Sequence, residues 1–217
     1  SYLGYAQWAI SDALPPKSAM ATKVTSAEFR SIVFPGGALH LGLWLNWLQT
    51  VEGIRSDMLG FGSRVWNGGV ERRTLQASMK LPLGDADRRA VGHTVPFYQR
   101  WLHTAIGNDA FWHELDHTHR LTARTPPNHF ISGWYDFMVD QLLRDYETLV
   151  LAGQRPYLTV GPWFHVSPDL QQESMRETLT WMRAQLLDDR SELREAPVRI
   201  YVTGLEAWCD FDSYPPG

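Results

Sequence analysis

The chain has 217 residues, 44% hydrophobic and 20% charged, with a net charge of −4 at pH 7 and one cysteine, Cys209. This composition predicts a buried core, and the single thiol excludes both an internal disulfide and a metal site of several thiolates. The absence of dense lysine and arginine runs, and of long apolar runs, argues against nucleic-acid and membrane partners.

The first predicted elements are a helix and a short strand. Residues 2–13 contain several small side chains, which allow a helix to pack tightly against a sheet, and two prolines follow. Residues 19–25 predict the strand. A nucleophilic serine can stand at a sharp turn between a strand and a helix. Ser1 directly precedes the predicted helix, but neither a strand nor an initiator methionine precedes Ser1 in this sequence. We therefore expect the chain to be a fragment.

The middle of the chain predicts helices and carries few strand signals. Apolar residues recur there at helical spacing, and glycine and proline separate the segments. The candidate helices cover residues 39–59, 70–80 and 95–106. We expect residues 27–121 to form a helical cap inserted into a core.

Strand and helix signals alternate again in the last part of the chain. This alternation predicts an α/β fold, with parallel strands joined by crossover helices. We expect a core made of residues 1–26 and 122–213, and residues 214–217 to begin a linker to a further domain. The predicted strands cover residues 129–133, 157–160 and 197–203, and the predicted helices cover 137–151 and 170–188.

Two polar side chains follow the ends of predicted strands. Asp136 ends the run Gly-Trp-Tyr-Asp, and His165 ends the run Gly-Pro-Trp-Phe-His. Functional residues of parallel sheets gather at the carboxyl ends of the strands. A serine nucleophile needs a histidine base, and a carboxylate orients that base. Ser1, Asp136 and His165 therefore predict a serine acyl hydrolase, with the backbone N–H of Tyr2 donating to the oxyanion.

Motifs along the whole chain resemble the cocaine esterase and X-Pro dipeptidyl-peptidase family of α/β-hydrolases. They are Ser-Tyr-Leu-Gly-x-x-Gln-Trp at 1–8, Pro-Gly-Gly-Ala-Leu at 35–39, Gly-Trp-Tyr-Asp at 133–136, Gly-Pro-Trp-x-His at 161–165, and Val-Arg-Ile-Tyr-Val-Thr-Gly at 198–204. The resemblance implies an α/β-hydrolase core, an inserted helical cap and a C-terminal jelly roll. It also implies that Ser1, Asp136 and His165 form the triad.

The resemblance further implies substrate-binding residues and a substrate class. Trp47 and Met138 fall where the family lines its acyl pocket, and Trp134 and Trp163 are further aromatic candidates. We expect a small ester or short peptide as substrate, no cofactor, no metal, a homo-oligomer and a cytoplasmic location. Gly4 offers no carboxylate for a free amine, which favours a simple ester over X-Pro peptides or α-amino acid esters.

Several features of the family are missing. The first two residues of its Gly-x-Ser-Tyr-x-Gly motif, the upstream strands, the second oxyanion donor and the jelly roll are absent from the sequence. Half of a parallel sheet exposes an apolar edge. We therefore expect the isolated chain to be inactive and unstable.

Other functions stay open from the residues alone. His113-Glu114-Leu115-Asp116-His117 satisfies the zinc-peptidase pattern, which requires both histidines on one helix face. Ser1 could instead be an N-terminal nucleophile with its own amine as the base. A third alternative is a non-catalytic binding module. The ten tryptophans also allow a carbohydrate site, although core packing explains them better.

Overall fold

The structure, a computed structural model, describes residues 2–104 and 110–216. It divides into two compact units. One, the sheet unit, contains Ser1–Ile32 and Leu115–Gly217, and the other, the helical unit, contains Val33–Glu114. The boundaries predicted from the sequence, at residues 27 and 121, stay a prediction.

The sheet unit contains a five-stranded sheet within the described residues, in the order β1-β2-β3-β4-β5. Strands β1 to β4 pair in parallel, and β5 pairs antiparallel with β4. The mostly parallel sheet with crossover helices confirms the predicted α/β-hydrolase class. The strands are β1 (Met20–Lys23), β2 (Asn128–Gly133), β3 (Tyr157–Gly161), β4 (Val198–Val202) and β5 (Ala207–Phe211).

The α-helices of the described residues follow in chain order. They are α1 (Tyr2–Ile10), α2 (Arg30–Val33), α3 (Leu41–Ser56), α4 (Met58–Trp66), α5 (Gly69–Ser78), α6 (Ala86–Val91), α7 (Pro96–His103), α8 (Ala110–Glu114), α9 (Val139–Leu151) and α10 (Pro168–Leu186). Single 3-10 turns cover Ser11–Ala13, Pro35–Gly37, Leu83–Asp85 and Thr118–Arg120.

The predicted helix over 39–59 is interrupted. Helix α3 ends at Ser56, and Asp57 begins α4 as its N-cap, with its Oδ1 accepting a hydrogen bond from the backbone N–H of Gly60 at 2.9 Å. Asp57 therefore separates two helices where the apolar spacing indicated one. The sequence analysis also missed helices α2, α6 and α8 and strand β5.

The sheet is buried on both faces. Side chains alternate between faces along a strand, and the neighbouring residues Phe130 and Ile131 of β2 belong to two different core clusters. Phe130 packs in the cluster of Leu142 and Leu149 from α9, and Ile131 packs in that of Leu170 from α10. Helices α9 and α10 therefore cover opposite faces.

The chain leaves the sheet unit and returns to it side by side. Glu28 and Asp116 form an antiparallel bridge, and the backbone N–H of His117 donates to the carbonyl of Ala27 at 2.9 Å. The buried carboxyl group of Asp145 on α9 accepts a hydrogen bond from the backbone N–H of Ala27 at 2.7 Å. We call Ala27, Glu28, Asp116 and His117 the neck.

The helical unit has a core of its own. Leu45 and Leu48 of α3 are fully buried, and they pack with residues of the later helices of that unit. The other members of this cluster are Ala77, Ala86, Ala90, Val95 and Tyr98. None of the described helices combines the length and apolarity needed to cross a membrane.

A buried arginine joins α10 to strands β3 and β4. The Arg194 guanidinium lies 2.6 Å from the carboxylate of Glu177 on α10, with side chains about 9% and 10% exposed. It also donates to the carbonyls of Leu158 and Pro197 and to the hydroxyl of Thr159, at 3.0 to 3.1 Å. Burial lowers the pKa of Arg194, and Glu177 opposes that shift. The ion pair therefore connects three elements of the sheet unit.

Replacing Arg194 with methionine is expected to destabilise the protein by about 3–5 kcal/mol, because it leaves the buried Glu177 carboxylate without its closest partner. Urea unfolding measures the loss. Removing the carboxylate as well, in Arg194→Met/Glu177→Met, should recover part of the stability. Arg183→Met, which breaks an exposed ion pair with Asp189, is the matched control. An equal effect of the two single substitutions would contradict the role given to Arg194.

Candidate active site

Two adjacent parallel strands bring Asp136 and His165 to the same edge of the sheet. Strands β2 and β3 pair in register, with Gly133 opposite Gly161 at their carboxyl ends. The loops continue this pairing past the strands, since the N–H of Trp134 donates to the carbonyl of Gly161 at 2.9 Å. The loops that carry the carboxylate and the imidazole therefore run together from the sheet edge.

Glycine at both strand ends allows this close approach. A Cβ atom on Gly133 would lie 2.1 Å from the backbone oxygen of Trp163, and one on Gly161 would lie 2.5 Å from the Trp163 indole. The N–H of Tyr135 donates to that same Trp163 oxygen at 3.1 Å. A side chain at Gly133 would therefore separate the two loops and move His165 away from Asp136.

Asp136 and His165 form a short hydrogen bond. The Nδ1 of His165 lies 2.6 Å from Oδ2 of Asp136, whose side chain is fully buried, while the imidazole is 24% exposed. The other carboxylate oxygen, Oδ1, accepts the backbone N–H of Met138 at 2.7 Å. Because a carboxylate only accepts hydrogen bonds, Nδ1–H donates, and in the neutral imidazole Nε2 then has the lone pair. The pair can orient a general base.

The predicted nucleophile falls outside the described residues. Ser1 is not described, and Tyr2 is the first residue of α1. Helix α1 packs closely on the end of β1, because a Cβ on Gly4 would lie 2.5 Å from the Thr25 side chain. The roles predicted for Ser1 and Tyr2 stay predictions.

The four predicted substrate-binding residues differ in their surroundings. Met138 and Trp163 are buried, and Trp163 packs with the second core cluster of the sheet unit. Trp134 packs against the main core, and its indole N–H donates to the carbonyl of Tyr201 at 2.8 Å. Trp47 lies in the helical unit and is 48% exposed. Trp134 and Trp163 therefore have packing roles, and binding by any of the four stays a prediction.

A cavity of about 500 Å³ lies beside β3, β4 and β5 in the sheet unit. Neither Asp136 nor His165 lines it. Two tryptophans, Trp163 and Trp208, contact each other there, with ring centroids 5.4 Å apart. The other lining residues are mostly charged: Thr159, Pro162, Asp169, Glu173, Arg176, Glu177, Arg199 and Asp210. This cavity is separate from the hydrogen-bonded pair.

The zinc-peptidase pattern lacks the geometry that it requires. Helix α8 ends at Glu114, so His113 and His117 do not share a helix face. Across residues 2–104 and 110–216, no group of three or more His, Cys, Asp or Glu side chains is placed to hold a metal ion.

The sequence analysis missed one residue at the site. The ring of Phe137 stacks on the His165 imidazole, with centroids 4.6 Å apart and planes inclined by 30°. Phe137 was assigned only to a predicted helix, although α9 begins two residues later, at Val139. Its place directly after Asp136 is the only signal that the sequence carries.

The chain is similar to known hydrolases. The family described as X-Pro dipeptidyl-peptidase (S15 family) matches residues 1–167. The cocaine esterase of Rhodococcus sp. (strain MB1 Bresler) is 26% identical over 239 residues, which cover 99% of this chain and 41% of that protein. The crystal structure of an aminopeptidase from a marine sediment archaeon, Thaumarchaeota archaeon, superposes with a TM-score of 0.65 at 18% identity.

The superposition covers all of this chain and 38% of the archaeal protein, so the chain spans about two fifths of the length of either relative. At that identity the structural similarity shows the fold alone. The family match covers residues 1–167, which include the runs that end at Asp136 and His165. The chain belongs to the X-Pro dipeptidyl-peptidase (S15) family.

Proposed function

We propose that Ser1, Asp136 and His165 are the triad of a serine hydrolase that cleaves a carboxylic ester through an acyl-enzyme. The observation that carries the proposal is the 2.6 Å hydrogen bond between His165 Nδ1 and the buried Asp136 carboxylate. This bond leaves Nε2 free to take a proton, as a serine nucleophile requires. Membership of the S15 family supports the same chemistry.

In this mechanism His165 moves one proton at a time. Its Nε2 takes the proton of the Ser1 hydroxyl while the oxygen attacks the ester carbonyl, and the backbone N–H of Tyr2 donates to the oxyanion. His165 then gives the proton to the departing alcohol. In deacylation, the second half of the reaction, His165 takes a proton from water and the resulting hydroxide attacks the acyl group. His165 then returns a proton to the Ser1 oxygen as the carboxylic acid leaves. The Asp136 carboxylate stabilises the imidazolium in both halves.

Ester hydrolysis is the first choice of reaction, and peptide hydrolysis is the second. The similarity to cocaine esterase favours an ester substrate, while the description of the family favours X-Pro peptides. Gly4, the third residue of α1, offers no carboxylate to bind a free amine. Comparing a short aryl ester with a Gly-Pro anilide separates the two. Much faster cleavage of the anilide would replace the esterase proposal by a dipeptidyl-peptidase.

A fluorophosphonate probe tests the nucleophile directly. We expect the intact protein to be labelled at Ser1, because the probe reacts with a serine that an adjacent base activates. Mass spectrometry of the modified peptide locates the label. Ser1→Ala should abolish labelling, and His165→Ala should reduce it strongly in a protein that still folds. A folded wild-type protein that takes no label, or takes it on another serine, would contradict the proposal.

A further inference from the structure

The Asp136–His165 hydrogen bond fixes only one edge of the imidazole. It holds Nδ1, and the ring can still turn about the line through Nδ1 and the carboxylate oxygen. Torsions of the final bond of histidine are broad, so the side chain itself does not define the plane of the ring. Nε2 lies on the far side of that ring, and its lone pair must point at the serine hydroxyl. A second contact on the face of the ring would remove this freedom.

Phe137 supplies such a contact. Its ring lies over the imidazole with a centroid separation of 4.6 Å and an interplanar angle of 30°. Stacked aromatic pairs prefer centroid separations of about 4.5–7 Å, so this pair is at the close end of the range. A stack this close opposes tilting of the imidazole toward the phenyl ring.

One short turn delivers both contacts. Asp136 and Phe137 are adjacent, and the backbone between Gly133 and Val139 is held by two hydrogen bonds, from Asp136 N–H to the carbonyl of Gly133 and from Val139 N–H to that of Asp136. The N–H of Met138 also donates to the Asp136 carboxylate. These hydrogen bonds hold the backbone from which both the carboxylate and the phenyl ring project toward the imidazole.

Phe137 lies outside the main core cluster, in which Trp134 and Val139 on either side of it take part. It is half-buried. Its neighbour Met138 is buried. Among the described residues, Phe137 makes its aromatic contact with the imidazole of His165.

We propose that Phe137 is a positioning residue, which holds the His165 imidazole in the plane where Nε2 faces the nucleophile. The inference rests on the proposed function, in which His165 is the general base. Phe137 would act through His165 and not by touching the substrate. The expected signature is therefore a change in kcat without a change in KM.

The test compares Phe137→Leu with Phe137→Tyr in the intact protein. Leucine keeps most of the apolar volume and removes the flat face, so kcat for an aryl ester should fall roughly 2- to 12-fold, the range of an aromatic stacking energy. KM and the unfolding temperature should change little. Phe137→Tyr keeps the flat face and should retain the kcat of the wild type.

Phe164→Leu is the matched control. Phe164 is next to His165 in the chain, is 61% exposed, and stacks on Tyr135 at 5.2 Å instead of on the imidazole. Its replacement should leave kcat unchanged. An equal loss in the two leucine variants, an unchanged kcat in Phe137→Leu, or a change in KM alone would each overturn the positioning role.

An NMR measurement separates this inference from the proposed function. Ring protons of His165 above the Phe137 face should be shifted upfield, and nitrogen-15 spectra should show one tautomer, with the proton on Nδ1. Phe137→Leu should leave the tautomer unchanged, because the Asp136 carboxylate sets it, and should remove the upfield shift because the phenyl ring is gone. If Phe137 holds the ring plane, the variant should also broaden the His165 ring resonances, since the imidazole then samples several orientations. If the wild type neither hydrolyses esters nor takes the probe, the proposed function fails, and these spectra still decide whether Phe137 positions the ring. His165 ring resonances of equal width in the two proteins would overturn it.

Discussion

Asp136→Asn is expected to lower kcat about 10,000-fold while the protein stays folded. The reason lies in the two hydrogen bonds of the carboxylate. Oδ1 accepts the N–H of Met138, so an asparagine would place its carbonyl oxygen there and turn its NH2 group toward His165. That group donates to Nδ1, which forces the ring proton onto Nε2. The imidazole could then no longer take the proton of the serine.

Steady-state kinetics with an aryl ester, and the rate of fluorophosphonate labelling, measure this loss. Asp140→Asn is the matched control, because Asp140 is an exposed carboxylate in the first turn of α9. It removes the same charge four residues away and should leave kcat close to that of the wild type. An Asp136→Asn variant that keeps more than a small fraction of the activity would show that Asp136 does not orient the base.

Asp145→Asn is expected to change how stability depends on pH. Burial raises the pKa of Asp145 from an ordinary 3.8 to about 8, with the nearby carboxylates of Glu28 and Asp116 adding to the shift and hydrogen bonds from Ala27 and Ser26 opposing it. Between pH 4 and 8 the folded protein keeps this proton and the unfolded chain loses it. The free energy of unfolding therefore falls with rising pH, by about 1.4 kcal/mol per unit from this group.

Asparagine does not ionise, and its side-chain oxygen can still accept the N–H of Ala27. The variant should therefore lack this slope and exceed the wild type by several kcal/mol near pH 8, a difference that shrinks toward pH 4. Urea unfolding of both proteins across that range measures it. Glu147→Gln, which removes an exposed carboxylate from the same helix, should follow the wild-type curve. Parallel curves for wild type and Asp145→Asn would show that the buried carboxyl group does not carry this effect.

The sequence predicted the elements whose signals are local. Apolar residues at positions 142, 146 and 149 indicate the buried face of α9, and the structure buries all three. Glycines followed by Asp136 and His165 predicted two strand ends, and parallel pairing brings such ends to one edge. The 2.6 Å contact between the two side chains follows from that topology.

Features that depend on contacts distant in the chain could not be predicted. Residues of β5 are mostly exposed and show no alternation of apolar and polar side chains. Its pairing with β4 includes two hydrogen bonds between Arg199 and Asp210, at 2.7 and 2.8 Å, which become visible only once the register is known. The stack of Phe137 on His165 likewise joins two loops, and neither loop alone indicates it.

The neck gives the helical unit the topology of a hairpin loop. Glu28 and Asp116 are paired at its base, so the chain segment between them, residues 29–115, begins and ends at neighbouring residues of the sheet unit. In the unfolded chain these residues are a flexible loop, and the entropic cost of closing such a loop grows by only about 0.6 kcal/mol for each doubling of its length. Insertions and deletions between Glu28 and Asp116 therefore change the entropic cost of pairing these two residues only weakly. We therefore expect an insertion at an exposed turn within Val33–Glu114 to leave unchanged the register of β2 and β3, the strands that precede Asp136 and His165.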